Sequence, residues 1–243
     1  VSSLAGVAAR EKSALEVNVW GTRNVAAACA SLERKPRLLN VSTSQVYAET
    51  SGKHEETIGL APANLYGASK QMAEIWLGLY RDLDVVTARS FNHTGPGQTD
   101  NFVLPYLVRS LAEIEAGAKP ARLFTGNIDV ERDFTDVRDV VRAYHLLMER
   151  GRRGEVYNVC SGKYYRIADL LDILRGLVKV NVSVEIDPAR YRVNDAKRIW
   201  GCHAKLSDDT GWTPEIPIEK TLADMLEYWR VRVRKDLGQT CHG

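Results

Sequence analysis

Apolar positions along this chain switch between helical spacing and short continuous runs, and the switch repeats. Residues 14–33 carry Leu15, Val17, Val19, Trp20, Val25, Ala26 and Ala28 at helical spacing. Leu38-Leu39-Asn40-Val41-Ser42, bounded upstream by Lys35-Pro36, is a short apolar run that fits a buried strand. From Tyr66 to Tyr80 the helical spacing returns, with Met72, Ile75, Trp76 and Leu79 on one face. Asp84-Val85-Val86-Thr87-Ala88-Arg89 is rich in β-branched residues and predicts the next strand. Helix, strand, helix, strand is the pattern of an α/β fold with a parallel sheet. Beyond Phe91 the texture changes. Asn92-His93-Thr94-Gly95-Pro96-Gly97-Gln98 is a loop of turn residues, followed by a helix from about Phe102 to Ala118. Asp136 is placed to cap a helix through Val137, Val140, Val141, Tyr144 and Met148, which Gly151 ends. Val156–Val159 reads as another strand, and residues 166–178 and 218–233 as amphipathic helices. Strands thin out towards the C-terminus, where a smaller lobe is expected.

Composition narrows the class. At 243 residues the chain is long enough for one large α/β domain, or a domain with a lobe. A formal charge of +2 makes no electrostatic case for nucleic acid or membrane partners. No apolar run approaches the roughly 18 residues that span a bilayer. The four cysteines, Cys29, Cys160, Cys202 and Cys241, form no C-x-x-C pair. They read as reduced thiols of a cytoplasmic protein, two of them in the core, and no metal site is expected. The chain opens at Val1-Ser2-Ser3-Leu4-Ala5-Gly6, which reads as the end of a buried strand and its turn. A fragment lacking an upstream segment is the expectation.

The sharpest local chemistry is Tyr66-Gly67-Ala68-Ser69-Lys70. Positions i and i+4 share a helix face, so an ammonium would stand one turn from a phenol. Such a charge favours phenolate and would lower the Tyr66 pKa, making it a general acid/base. The spacing alone is weak, because 10 Tyr and 11 Lys give about half such a pair by chance. Some twenty residues earlier, a predicted strand ends in Ser42-Thr43-Ser44-Gln45. A hydroxyl at the carboxyl end of a parallel strand lies where α/β sheets bind ligands. Taken alone, these hydroxyls could equally cap the next turn.

Together these residues resemble the extended short-chain dehydrogenase/reductases, the epimerases, 4,6-dehydratases and 4-keto reductases of nucleotide sugars. Asn18 with Gly21-Thr22 matches the family's Asn-x-x-Gly-Thr helix, and Leu4-Ala5-Gly6 its turn along the dinucleotide. Ser42-Thr43-Ser44 matches the catalytic hydroxyl segment, and Tyr66 with Lys70 the catalytic pair. Arg89-Ser90-Phe91-Asn92-His93 resembles the loop that contacts nicotinamide and then substrate. Arg132-Asp133-Phe134-Thr135-Asp136-Val137-x-Asp139 matches a segment whose arginine holds the nucleotide diphosphate, a task suited to a guanidinium fork, and Arg192 matches a second arginine that reaches the sugar nucleotide. The resemblance implies a Rossmann-type parallel sheet lacking its first strands, with residues 1–95 and 136–159 forming an incomplete dinucleotide-binding domain. Residues 96–135 and 160–243 would form a nucleotide-sugar-binding lobe. It further implies NAD(P)H as cofactor, with Leu4, Ala5, Gly6, Asn18, Ser42, Tyr66, Lys70 and Phe91 around it. Ser44, Gln45, Asn92, His93, Arg132 and Arg192 would meet the substrate, and a homodimer would form through the Tyr66 helix and the one before it.

The position two residues after Thr43 separates reactions. The dehydratases of this family carry a carboxyl there, which can take and return the proton of water elimination. Here it is Gln45, and an amide cannot exchange protons that way. Reduction or epimerisation remains, and the Asn92–Gln98 loop looks most like the GDP-4-dehydro-6-deoxy-D-mannose reductase and GDP-mannose 4,6-dehydratase group. The expectation is reduction of a GDP-linked 4-keto-6-deoxy sugar to GDP-D-rhamnose. The alternatives are another nucleotide-sugar epimerase or dehydratase, or a non-catalytic binding protein that keeps the fold. With the glycine-rich phosphate-binding turn absent from these residues, the choice between NAD and NADP is unreadable, and the fragment alone is expected to be inactive.

Overall fold

The computed structural model describes residues 11–190 and 196–240. The chain divides into two compact units.

The first unit comprises the described residues up to Phe91, Asp139–Gly162 and Trp200–Thr213. Its centre is a three-stranded parallel sheet in the order β1-β2-β7, with β1 at Arg37–Thr43, β2 at Asp84–Ser90 and β7 at Val156–Val159. β2 is buried along nearly its whole length, as expected of a central parallel strand covered on both faces. On one face, Val86 and Ala88 pack against Val140, Ala143 and Leu147 of α5 (Val137–Arg150). On the other, Val85 packs with Leu77 of α3 (Leu65–Leu79) and Ala26 of α2 (Thr22–Ala30). The helix ahead of β1 is not regular. α1 (Glu11–Leu15) passes into α2 through a π-helical turn at Glu16–Gly21, and the Thr22 hydroxyl takes the Asn18 carbonyl at 2.8 Å. Residues 200–213, expected in the lobe, belong to this unit. The reason is packing: α7 (Ala204–Thr210) contributes Leu206, and Trp212 is fully buried with its indole N–H on the Asp139 carbonyl at 3.0 Å.

The second unit comprises Asn92–Arg138, Lys163–Ile199 and Pro214 onwards. Its core joins three helices, α4 (Val103–Glu115), α6 (Ile167–Leu177) and α8 (Ile218–Thr240), through Leu107, Leu111, Leu170, Leu174, Leu222 and Met225. Short strands edge it: β3 (Asn92–Thr94) with β6 (Phe134–Asp136), β4 (Arg122–Thr125) with β9 (Ser183–Ile186), and β5 (Glu131–Arg132) between β10 (Arg198–Ile199) and β8 (Tyr165–Arg166). The region expected to thin out in strands thus keeps several, each two to four residues long. Asp136 caps α5 as the sequence suggests, its Oδ1 accepting the Arg138 N–H at 2.8 Å. No helix among the described residues is long and apolar enough to cross a membrane.

Candidate active site

β1 ends at Thr43, and the chain turns at once through a short 3-10 segment, Ser44–Val46. The Thr43 hydroxyl accepts the Gln45 N–H at 3.3 Å and stays at the carboxyl end of the strand. α3 starts at this turn because Asn64 caps it, its Oδ1 accepting the Gly67 N–H at 2.9 Å. Asn64 also donates through Nδ2 to Gln45 Oε1 at 3.1 Å. The two segments touch so closely that a Cβ at Gly67 would stand 2.2 Å from the Gln45 carbonyl oxygen. That contact sets the Tyr66 phenol near the Thr43 hydroxyl, close enough for Thr43 to favour its ionised form.

The electrostatics differ from the expectation of a phenol depressed by Lys70. Burial pushes Tyr66 up, Thr43 opposes this, and a charge on Tyr144 adds to the rise. Burial pushes Lys70 down, and its ammonium donates to the Val41 carbonyl at 2.9 Å. Lys70 therefore spends one of its three donors on β1 and keeps two. The pair has the predicted helical spacing, but the group acting directly on the Tyr66 oxygen is Thr43.

Behind the pair lies a buried polar network that sequence reasoning missed. Glu74, one turn beyond Lys70, receives Arg89 at 3.1 and 2.6 Å and also the Ser42 hydroxyl. Arg89 stands over the Tyr47 ring at 4.8 Å, and Tyr47 donates to Asn158 at 2.7 Å. Burial holds the Tyr47 phenol up at about 12, against Arg89, which lowers it. The signal was available: Arg89 ends an apolar strand, and an arginine there needs a buried partner. Ser90 and Tyr144, also unremarked, bond at 2.6 Å.

The remaining expected residues divide. Asn18 is buried and donates to Ser69 at 3.0 Å, and Ser69 bonds back to the Tyr66 carbonyl. The Asn18 helix is thereby tied to the Tyr66 helix. Ser42 and Ser44 are buried, with the Ser42 hydroxyl given to Glu74. Phe91 is buried beside His54, and its N–H bonds to the Val159 carbonyl. In the second unit, Asn92 and His93 lie on β3, opposite Phe134 and Thr135. Arg132 is buried on β5, donating to the Glu131 and Lys197 carbonyls. Leu4, Ala5, Gly6 and Arg192 lie outside the described residues. Of the cysteines expected in the core, Cys160 is buried, while Cys29 and Cys202 are half-buried. His145 is exposed on α5, one turn from Glu149.

A family model described as GDP-mannose 4,6 dehydratase matches residues 8–225. The chain belongs to the GDP-mannose 4,6-dehydratase family. Within and around that family its similarities are graded. It is 40% identical over 229 residues to GDP-6-deoxy-D-mannose reductase of Pseudomonas aeruginosa, covering 91% of this chain and 75% of that protein. Against GDP-mannose 4,6 dehydratase 1 of Arabidopsis thaliana the identity is 28%, covering 80% of this chain and 55% of that one. The structure of RMD from Pseudomonas aeruginosa complexed with NADPH superposes with a TM-score of 0.89 at 36% identity, covering 96% of this chain and 79% of that one. UDP-glucuronic acid 4-epimerase from Bacillus cereus, complexed with UDP-glucuronic acid and NAD, shares the fold with a TM-score of 0.80, covering 90% of this chain and 68% of that one.

Proposed function

We propose that this protein is an NAD(P)H-dependent reductase acting on the 4-keto group of a GDP-linked 6-deoxy sugar, converting GDP-4-dehydro-6-deoxy-D-mannose to GDP-D-rhamnose. The observation that carries this reading is the helix of Tyr66 packed on the turn after Thr43, with an amide rather than a carboxyl at Gln45. A reduced nicotinamide, when bound, supplies hydride to the carbonyl carbon. The chain must supply the proton. The Tyr66 O–H bond breaks as its proton passes to the carbonyl oxygen, and Thr43 donates to the phenolate left behind. Burial raises the phenol and makes its proton harder to give up, and Thr43 opposes that rise, which favours the phenolate formed when the proton leaves. Dehydration would need a side chain that takes and returns a proton, and Gln45, its oxygen engaged by Asn64, has none to exchange. The 40% identity to a GDP-6-deoxy-D-mannose reductase supports the same choice.

The residues fit a nicotinamide ribose. Lys70 keeps two donors beside the exposed part of β1 at Val41, the arrangement a diol would meet. By the same reading Leu4, Ala5, Gly6, Asn18, Ser42, Tyr66 and Phe91 attend the cofactor. Ser44, Gln45, Asn92, His93, Arg132 and Arg192 attend the nucleotide sugar, Arg132 by its guanidinium. Residues 1–95 and 136–159, with the 200–213 segment that packs in the same unit, carry the dinucleotide side of the fold, and residues 96–135 and the rest of 160–243 the sugar-nucleotide side. We assign the reaction to the cytoplasm, in keeping with Cys29, Cys160 and Cys202 lying outside any disulfide. A second copy of the chain covers the apolar face formed by Trp20, Met72, Ile75 and Leu79, all exposed, where Trp20 and Trp76 stand 6.1 Å apart.

The test is direct. The full-length protein is mixed with GDP-4-keto-6-deoxymannose and NADPH, and in parallel with GDP-mannose and NADP. Loss of the reduced-nicotinamide absorbance in the first mixture alone supports the reductase. Turnover in the second alone would replace it with a dehydratase.

A further inference from the structure

The helical segment ahead of β1 leaves α geometry at one place, the π-helical turn Glu16–Gly21. Such turns are rare and occur frequently at functional sites. Within this one Val17 and Trp20 are exposed, whereas Asn18 is buried. The Thr22 N–H bonds to the Val19 carbonyl, and its hydroxyl donates to the Asn18 carbonyl at 2.8 Å. The Asn18 backbone carbonyl is thus served inside its own turn, and the side chain reaches across to α3. There Asn18 Nδ2 donates to Ser69 Oγ at 3.0 Å, and the Ser69 hydroxyl donates in turn to the Tyr66 carbonyl at 2.8 Å. Ser69 is fully buried.

In an α-helix the Tyr66 carbonyl is the acceptor of the Lys70 N–H. That backbone bond spaces the phenol from the ammonium, and Ser69 places a second donor on it. A serine bonded back to the preceding turn also bends its helix, here between Tyr66 and Lys70. Packing alone would be served as well by alanine at position 69. Alanine is the better helix former and spares the desolvation of a hydroxyl and an amide. We infer that Ser69, aimed by Asn18, is a positioning residue: the bonds from Asn18 through Ser69 to the Tyr66 carbonyl set the turn of α3 that presents Tyr66 and Lys70 together. The inference rests on Tyr66 being the proton donor.

The full-length enzyme is assayed with GDP-4-keto-6-deoxymannose and NADPH, well below the melting temperature of every variant, with kcat expressed per folded molecule from circular dichroism. Ser69→Ala is expected to lower kcat about threefold to tenfold, the worth of one hydrogen bond, with KM for both reactants unchanged. Asn18→Asp keeps the size and leaves the serine in place, but turns the donor into an acceptor. The new carboxylate draws the Ser69 proton away from the Tyr66 carbonyl, so a similar loss in kcat is expected. The double variant should lose no more than the worse single one, because both changes break the same chain of bonds. In a Tyr66→Phe background, where little turnover is left, Ser69→Ala should cost nothing further. If Tyr66→Phe loses its turnover while Ser69→Ala and Asn18→Asp keep the parental kcat and lose only melting temperature, Ser69 is scaffold and this inference alone falls. If Tyr66→Phe turns over normally, the assignment of Tyr66 as proton donor fails, and the inference fails with it.

Discussion

Glu74 offers the sharpest test of how the site is held. Its carboxylate takes two bonds from Arg89 and one from Ser42, with side chains only 11% and 6% exposed for Glu74 and Arg89. Glu74→Gln keeps the shape and removes the charge, leaving the guanidinium buried without a counterion. Breaking one side of such a pair costs about 3–5 kcal/mol, well above the roughly 0–1 kcal/mol of a surface pair. For a chain of this length each kcal/mol moves the melting temperature by about 2–4 °C. The expected loss is therefore roughly 6–20 °C, read by circular dichroism and repeated by urea unfolding. The double variant Glu74→Leu with Arg89→Met removes both charges and should recover most of that loss. Activity should fall as well, because Ser42 precedes Thr43 and Glu74 follows Lys70 by one turn. A shift below about 3 °C, or a double variant no more stable than the single, would refute the claim that a desolvated charge pair pins α3 to the sheet.

Two further outcomes follow from the same geometry. Gly67→Ala would put a methyl 2.2 Å from the Gln45 carbonyl oxygen; a cost of about 1–3 kcal/mol and a loss near 10²-fold in kcat are expected, and a parent-like kcat would show that α3 can shift without harm. Tyr47 bears on alkaline stability: its phenol is up at about 12 from 10.0, so the fold holds this proton more tightly than the unfolded chain does. Stability is undiminished by Tyr47 below pH 10 and falls as pH climbs from 10 towards about 12, by on the order of 2–3 kcal/mol. Urea titrations across that window should show a shallower decline in Tyr47→Phe, and an unchanged slope would count against the assignment.

The parts of this fold legible in the sequence are those with long, strong patterns. α3, α4, α5 and α6 fall within a few residues of their expected spans, as do β1, β2 and β7. The missed strands, β4, β5, β8 and β9 among them, are two to four residues long, too short to establish a period of two. Residues 200–213 were assigned by sequence order, whereas Trp212 and Leu206 join the core beneath β7 and α5. At the site, Thr43, Tyr66 and Lys70 were readable as residue types at known spacing. What Lys70 binds was not, because the Val41 carbonyl is brought to it by how α3 lies across β1. The same holds for Ser42, read as a ligand contact from its place in a motif, although Glu74 claims its hydroxyl.

Asn64 shows why, under the proposed reading, the helix of Tyr66 and the side chain at position 45 are not independent features. Its carbonyl oxygen caps α3 through the Gly67 N–H, and its amide nitrogen holds Gln45 Oε1. With its oxygen engaged, the Gln45 amide is left with N–H groups to present, which donate and cannot accept a proton. One side chain therefore sets where Tyr66 begins its helix and which face Gln45 shows beside Thr43. A carboxylate at position 45 could also accept from Asn64, so the scaffold does not itself forbid dehydration chemistry. On the proposed reading, what separates the two chemistries is the amide in place of the carboxyl, on a turn whose backbone is otherwise fixed by the close approach of Gly67.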